Sequence, residues 1–196
     1  MRCTRSRACV RIFLLARLSS RLGDHCRYHA QLMTTLSQAE AWILDSDGSC
    51  RDVTFTPTTR SAAALFVQSI ASQYATRSSN DNNGVDRSAQ LDTDDPFVGI
   101  DGYIHIGFDG GTGLLPKLQL FIDHDRETNE YCVEVTFFPQ DINRDLFSLA
   151  SFLSLVDDWN SILESDDYFI RYENASWKLY DSLGLGVICT RKTPPA

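Results

Sequence analysis

Between residues 98 and 137 the chain alternates. Val98, Ile100, Ile104, Ile106 and Phe108 take even positions, with Asp101, Tyr103 and His105 on the opposite side. That period of two marks a half-buried strand. Leu118, Leu120 and Ile122 continue the pattern against Lys117, Gln119, Phe121 and Asp123, and Tyr131, Val133, Val135 and Phe137 do so against Glu134 and Thr136. Gly110-Gly-Thr-Gly113 and the stretch from Asp125 to Asn129 separate the three runs. Connections this short join antiparallel neighbours, so a three-stranded meander is expected.

The period lengthens on either side. Ala63, Phe66, Val67, Ile70, Ala71 and Tyr74 form one stripe of a helix that Thr58 or Thr59 can cap after Pro57. Leu149, Phe152, Leu153, Val156, Trp159 and Leu163 form a second stripe, with Asp157 and Asp158 toward solvent and Asp166-Asp167 as its stop. Ahead of the first helix, Trp42-Ile-Leu44 and Val53-Thr-Phe55 flank Asp45-Ser-Asp-Gly48, which predicts an opening hairpin. Behind the second, Tyr168–Tyr172, Trp177–Tyr180 and Val187–Cys189 predict three more strands. The resulting order, ββ-α-βββ-α-βββ, is an α+β fold: a largely antiparallel sheet with two helices packed on one face. Residues 77–95 are almost wholly polar and are expected to form a mobile loop.

Charge divides the chain. Residues 1–32 hold seven arginines and one acid, +6, whereas residues 33–196 hold 11 basic and 25 acidic residues, −14. The leader has the Arg-rich, acid-poor composition of a mitochondrial transit peptide. Its longest apolar stretch, Ile12–Leu18, is broken by Arg17 and is too short for a signal-peptide core. Residues 1–32 are expected to be an Arg-rich leader, either disordered or the product of a misassigned start with Met33 as the first residue, ahead of a single α+β domain over 33–192 and a tail over 193–196. An organellar accessory protein is the alternative. The body's excess of acid disfavours nucleic acid as partner, because phosphates would be repelled, and favours a basic protein partner. No apolar run approaches the roughly 18 residues of a membrane span.

Six cysteines (Cys3, Cys9, Cys26, Cys50, Cys132, Cys189) include no C-x-x-C pair, so neither a zinc ribbon nor a disulfide scaffold is expected. Reduced thiols in a cytoplasmic protein follow, and in that setting the glycosylation pattern Asn174-Ala-Ser176 is a chance match. Gly110-Gly-Thr-Gly113 leads into a strand, not a helix, and so reads as a hairpin turn instead of a phosphate cradle. Asp123-His124-Asp125 with His105 is the strongest acid–base candidate, giving a small enzyme as an alternative function. Alternation, however, keeps Asp123 and His124 off a common face. No catalytic, metal-ligating or cofactor-binding set is expected. Tyr103, His105, Gln119, Phe121, Asp123, Asp125 and Glu134 are expected to present a partner-binding surface on the meander, Phe121 being an aromatic among polar strand neighbours.

In size, acidity and helix–sheet order the body resembles the small α+β immunity proteins of bacterial polymorphic toxin and contact-inhibition systems. The turns Asn174-Ala-Ser-Trp177 and Gly184-Leu-Gly186 are part of that likeness. The Arg-rich leader departs from it. The resemblance implies stoichiometric binding to a cognate toxin, often a basic nuclease, with no chemistry by the inhibitor.

Overall fold

The computed structural model describes residues 35–173, 186–192 and 194–195. Among these residues the elements are α1 (Leu36–Leu44), β1 (Arg51–Phe55), α2 (Arg60–Ala71), β2 (Thr76–Asp81), β3 (Tyr103–Asp109), β4 (Leu118–Asp125), β5 (Glu130–Phe137), α3 (Leu149–Leu163), β6 (Tyr168–Tyr172) and β7 (Val187–Thr190). All seven strands lie in one sheet, ordered β2-β3-β4-β5-β1-β6-β7. Each adjacent pair is antiparallel. The α+β architecture matches the alternation in the sequence, and β3, β4 and β5 form the expected meander, with Ile104 opposite Ile122 and Leu120 opposite Val135.

Two elements differ from expectation. Trp42-Ile-Leu44 is the last turn of α1, not a strand. The Thr35 side chain accepts from the Gln38 amide while the Gln38 side chain accepts from the Thr35 amide, so a capping box starts a helix whose Ala39 and Ile43 face the core. With no hairpin partner, β1 instead inserts between β5 and β6. The expected loop over 77–95 begins with a strand, because β2 pairs with β3 from Thr76–Asp109 to Asp81–Ile104. Its stability is polar. Asp81 accepts from the Asn83 and Val85 amides with one oxygen and from Arg87 Nε and Nη2 with the other. Burial raises the Asp81 pKa, but Arg87 and the two amides outweigh it, leaving the group below the usual carboxylate range. Leu91 and Phe97 then bury beneath the segment. The expected strand over Trp177–Tyr180 and the leader lie outside the described residues.

The three described helices share one apolar cluster with one face of the sheet. Phe55 meets Phe66 at 6.2 Å between ring centroids, Phe66 meets Trp159 at 6.1 Å, and Phe137 meets Phe152 at 5.5 Å. Thr59 caps α2 and Ser148 caps α3, whose end is set by Glu164 in the left-handed region. Among the described residues no helix is long and apolar enough to cross a membrane.

This apolar face carries a charge. Arg51 is fully buried. Its Nε donates to Trp42 O at 2.7 Å, Nη2 donates to Asp45 O at 2.7 Å, and Nη1 donates to Ser49 Oγ at 2.8 Å and Cys50 O at 3.1 Å. The guanidinium lies 3.8 Å from the centroid of the Tyr172 ring. It therefore satisfies carbonyls that the end of α1 leaves open and closes the turn into β1. Arg51→Met removes these donors while keeping an apolar stem, and should cost about 3 kcal/mol. In urea titrations this shows as a lower midpoint at unchanged slope; an unaltered midpoint would mean that water replaces the guanidinium without penalty.

Candidate functional site: the polar face of the sheet

The second face of the sheet is set by the pleat. Between the apolar side chains of β3, β4 and β5 stand mostly polar or aromatic ones, with Gly107 and Cys132 the exceptions, and the cross-strand register aligns them in rows. One row runs Asn80, His105, Phe121, Glu134, Thr54, Phe169. The next runs Ser78, Gly107, Gln119, Thr136, Asp52, Arg171. A third places Tyr103 beside Asp123 and Cys132, followed by Asp125 opposite Glu130. The buried side chains of the described helices gather on the other face.

All seven residues singled out in the sequence thus share this face. His105 stacks on Phe121 at 4.4 Å with the ring planes 10° apart, and its Nε2 donates to Gln119 Oε1 at 2.8 Å. Tyr103 is exposed, and Gln119 and Asp123 are half-buried. Asp125 accepts from the Glu127 amide at 2.9 Å as it opens the β4–β5 turn. That bond, with others from the turn, holds its carboxyl below the usual range. Glu134 differs from the rest. It is buried and belongs to an ion cluster instead of projecting from the surface.

That cluster was not visible in the sequence. Arg171 Nη2 lies 2.9 Å from Glu134 Oε2 and 3.1 Å from Asp52 Oδ2, and all three side chains are 9% exposed or less. Thr54 Oγ1 donates to Glu134 Oε2 at 3.0 Å, and Thr136 Oγ1 donates to Asp52 Oδ1 at 2.8 Å. Burial pushes the Asp52 carboxyl up to about 7, the neighbouring Glu134 charge adds to the rise, and Arg171 and Thr136 offset part of it. The cluster's local sequence cue is the pair of charged residues, Arg51 and Asp52, that opens an otherwise uncharged strand.

The acid–base candidate does not assemble. His124 lies on the helix side of β4, stacked on Tyr131 at 4.6 Å with Nε2 3.1 Å from Asn129 Oδ1, whereas Asp123 and His105 belong to the polar face. Among the described residues no group of three or more His, Cys, Asp or Glu side chains could hold a metal ion. Cys50 and Cys189 are buried, and burial pushes the Cys189 thiol up to about 12, which suppresses the thiolate that nucleophilic chemistry requires.

The raised pKa of Asp52 has a signed consequence. Its unfolded value is about 3.9, so between that and about 7 the folded state holds a proton that the unfolded state has released. The stability contributed by the group is full below pH 4 and is lost as pH rises through 7. Asp52→Asn retains partners for Thr136 and Arg171 but has no proton to exchange. The stability of the variant relative to wild type should therefore grow from pH 5 to pH 8, by at most about 1.4 kcal/mol per pH unit. Urea titrations across that range measure it, and a constant difference would show that Asp52 is ionised throughout.

No protein-family model matches the chain, and no curated protein matches it. A chain of the crystal structure of the toxic C-terminal tip of CdiA from Pseudomonas aeruginosa in complex with immune protein is similar, at 17% sequence identity, covering 64% of this chain and 87% of that chain with a TM-score of 0.41.

Proposed function

We propose that this chain is a non-catalytic binding protein that docks against a basic protein through the polar face of its sheet. In this reading it serves as an immunity protein, neutralising a cognate, nuclease-like toxin by covering it. The carrying observation is the register that brings Tyr103, Gln119, Asp123 and Asp125 onto one face around the His105–Phe121 stack. Aromatic side chains surrounded by polar ones are the usual composition of an interface centre. The −14 of residues 33–196 supplies the long-range attraction to a positive partner. A face of this kind binds without turning over a substrate, and the separation of His124 from His105 and Asp123 leaves it without a converging acid and base.

The experiment pairs the purified chain with a candidate basic toxin and measures affinity and growth protection together. Tyr103→Ala with Phe121→Ala should weaken binding by about tenfold or more, mainly through faster dissociation. Asp123→Asn with Asp125→Asn should slow association and flatten its dependence on salt. Wild-type affinity in both double variants, with circular dichroism unchanged, would remove this face from the interface.

A further inference from the structure

Where the polar face meets the β3–β4 connection lies an open groove of about 380 Å³. Its walls include Ser78, Gln119, Thr136 and Phe138, its floor is Gly107, and Asp109, Lys117 and Asp141 stand around it. Gly107 occupies the middle of β3 with a side-chain-bearing residue opposite it on each neighbouring strand, Ser78 and Gln119. A glycine there weakens the strand and marks a place of close approach. A Cβ built on it would come within 3.0 Å of Ser78 Oγ, so the missing side chain is what keeps the floor low.

The charges around the groove are incompletely matched. Asp109 is exposed, and its carboxylate accepts from the Gly110 amide at 2.7 Å. Asp141 has Lys117 at 3.9 Å, a loose pair whose lysine is 53% exposed. Two carboxylates and one ammonium leave a charge of −1. The volume is at the low end of the roughly 300–1,000 Å³ typical of small-molecule sites, and suits one long side chain better than a drug-sized ligand.

We propose that this groove receives an arginine side chain of the docked protein partner, with its methylene stem over Gly107 and against Phe138 and its guanidinium between Asp109 and Asp141. The inference rests on the reading of this face as the docking surface. Arginine fits better than lysine on two counts. Its planar fork can serve two carboxylates at once, and it is more weakly hydrated, so it gives up less on leaving water. Its stem covers apolar lining while the head stays at the polar margin.

The test is an NMR titration of the full chain with N-acetyl-arginine methylamide, and in parallel with the lysine analogue. The arginine probe should give saturable shifts at the Gly107, Gln119 and Asp109 amides, with a dissociation constant on the order of millimolar. Asp109→Asn, an exposed substitution, should weaken it by about threefold or more. Gly107→Ala, which raises the floor, should abolish the shifts. Absence of saturable shifts at these amides, identical behaviour of the lysine analogue, or indifference to Asp109→Asn would each overturn the proposal. The two readings fail separately. Toxin binding that falls with Phe121→Ala, beside a silent titration, removes the groove and leaves the docking face. A positive titration beside toxin binding that ignores Phe121→Ala and Asp109→Asn alike removes the docking face, and with it the partner arginine.

Discussion

The position of β1 is the constraint from which the rest of the sheet follows. Five residues long, it lies between β5 and β6, so that Val53 pairs with both Val135 and Ile170. Without it the sheet would separate into the β2–β5 meander and the β6–β7 pair. Both of its neighbours lie far along the chain, so its insertion closes long loops before any contact rewards it. Every one of its residues is buried, yet its sequence is Arg-Asp-Val-Thr-Phe. A central strand with two charged residues must find partners for both on opposite faces. Arg51 finds the carbonyls at the end of α1 and the ring of Tyr172, and Asp52 finds Arg171 and Thr136.

The Arg171 cluster acts on register more than on net stability, whereas Arg51, which satisfies buried carbonyls, acts on both. Burying ions returns little free energy, because desolvation consumes most of the attraction. A slip of one residue in β1, however, would exchange the faces of Arg51 and Asp52. It would put a carboxylate against the carbonyls of α1 and a guanidinium beside Arg171. Both outcomes are costly enough to exclude the alternative pairing, so the charges act as a key for the strand. The same key holds Glu134 and Asp52 around a single guanidinium in the middle of the polar face.

What could be read from the sequence was whatever depends on local period. The meander follows from strict alternation in β3, β4 and β5, and α2 and α3 follow from their apolar stripes. Because side-chain direction in a strand is fixed by parity, the same alternation was enough to collect Tyr103, His105, Gln119, Phe121, Asp123, Asp125 and Glu134 on one face. Trp42-Ile-Leu44 is ambiguous in sequence because three consecutive apolar residues fit a helix or a strand equally well, and the capping box that decides for a helix, at Thr35 and Gln38, lies upstream of the run. The segment after α2 reads as a loop because it lacks apolar residues, whereas Asp81 secures β2 through Arg87 and two backbone amides. Asp52 and Arg171 are separated by more than a hundred residues and brought together only by the strand order, so no local pattern joins them.

In the proposed docking, the two parts of the polar face would divide the tasks. Carboxylates near its margins, Asp109, Asp123 and Asp125, would act through solvent over about a Debye length and speed encounter with a positive partner. They add little once contact is made, since exposed pairs are worth about 1 kcal/mol or less. Residence has to come from desolvated contacts, and the His105–Phe121 stack and the Gly107 groove are where this face offers apolar area and a shape to match. The buried ion cluster contributes to neither task directly. It holds β5, β1 and β6 in register beside the stack and the groove, while the spacing between those two is set by the β3–β4 ladder, where His105–Phe121 and Gly107–Gln119 are neighbouring pairs on this face.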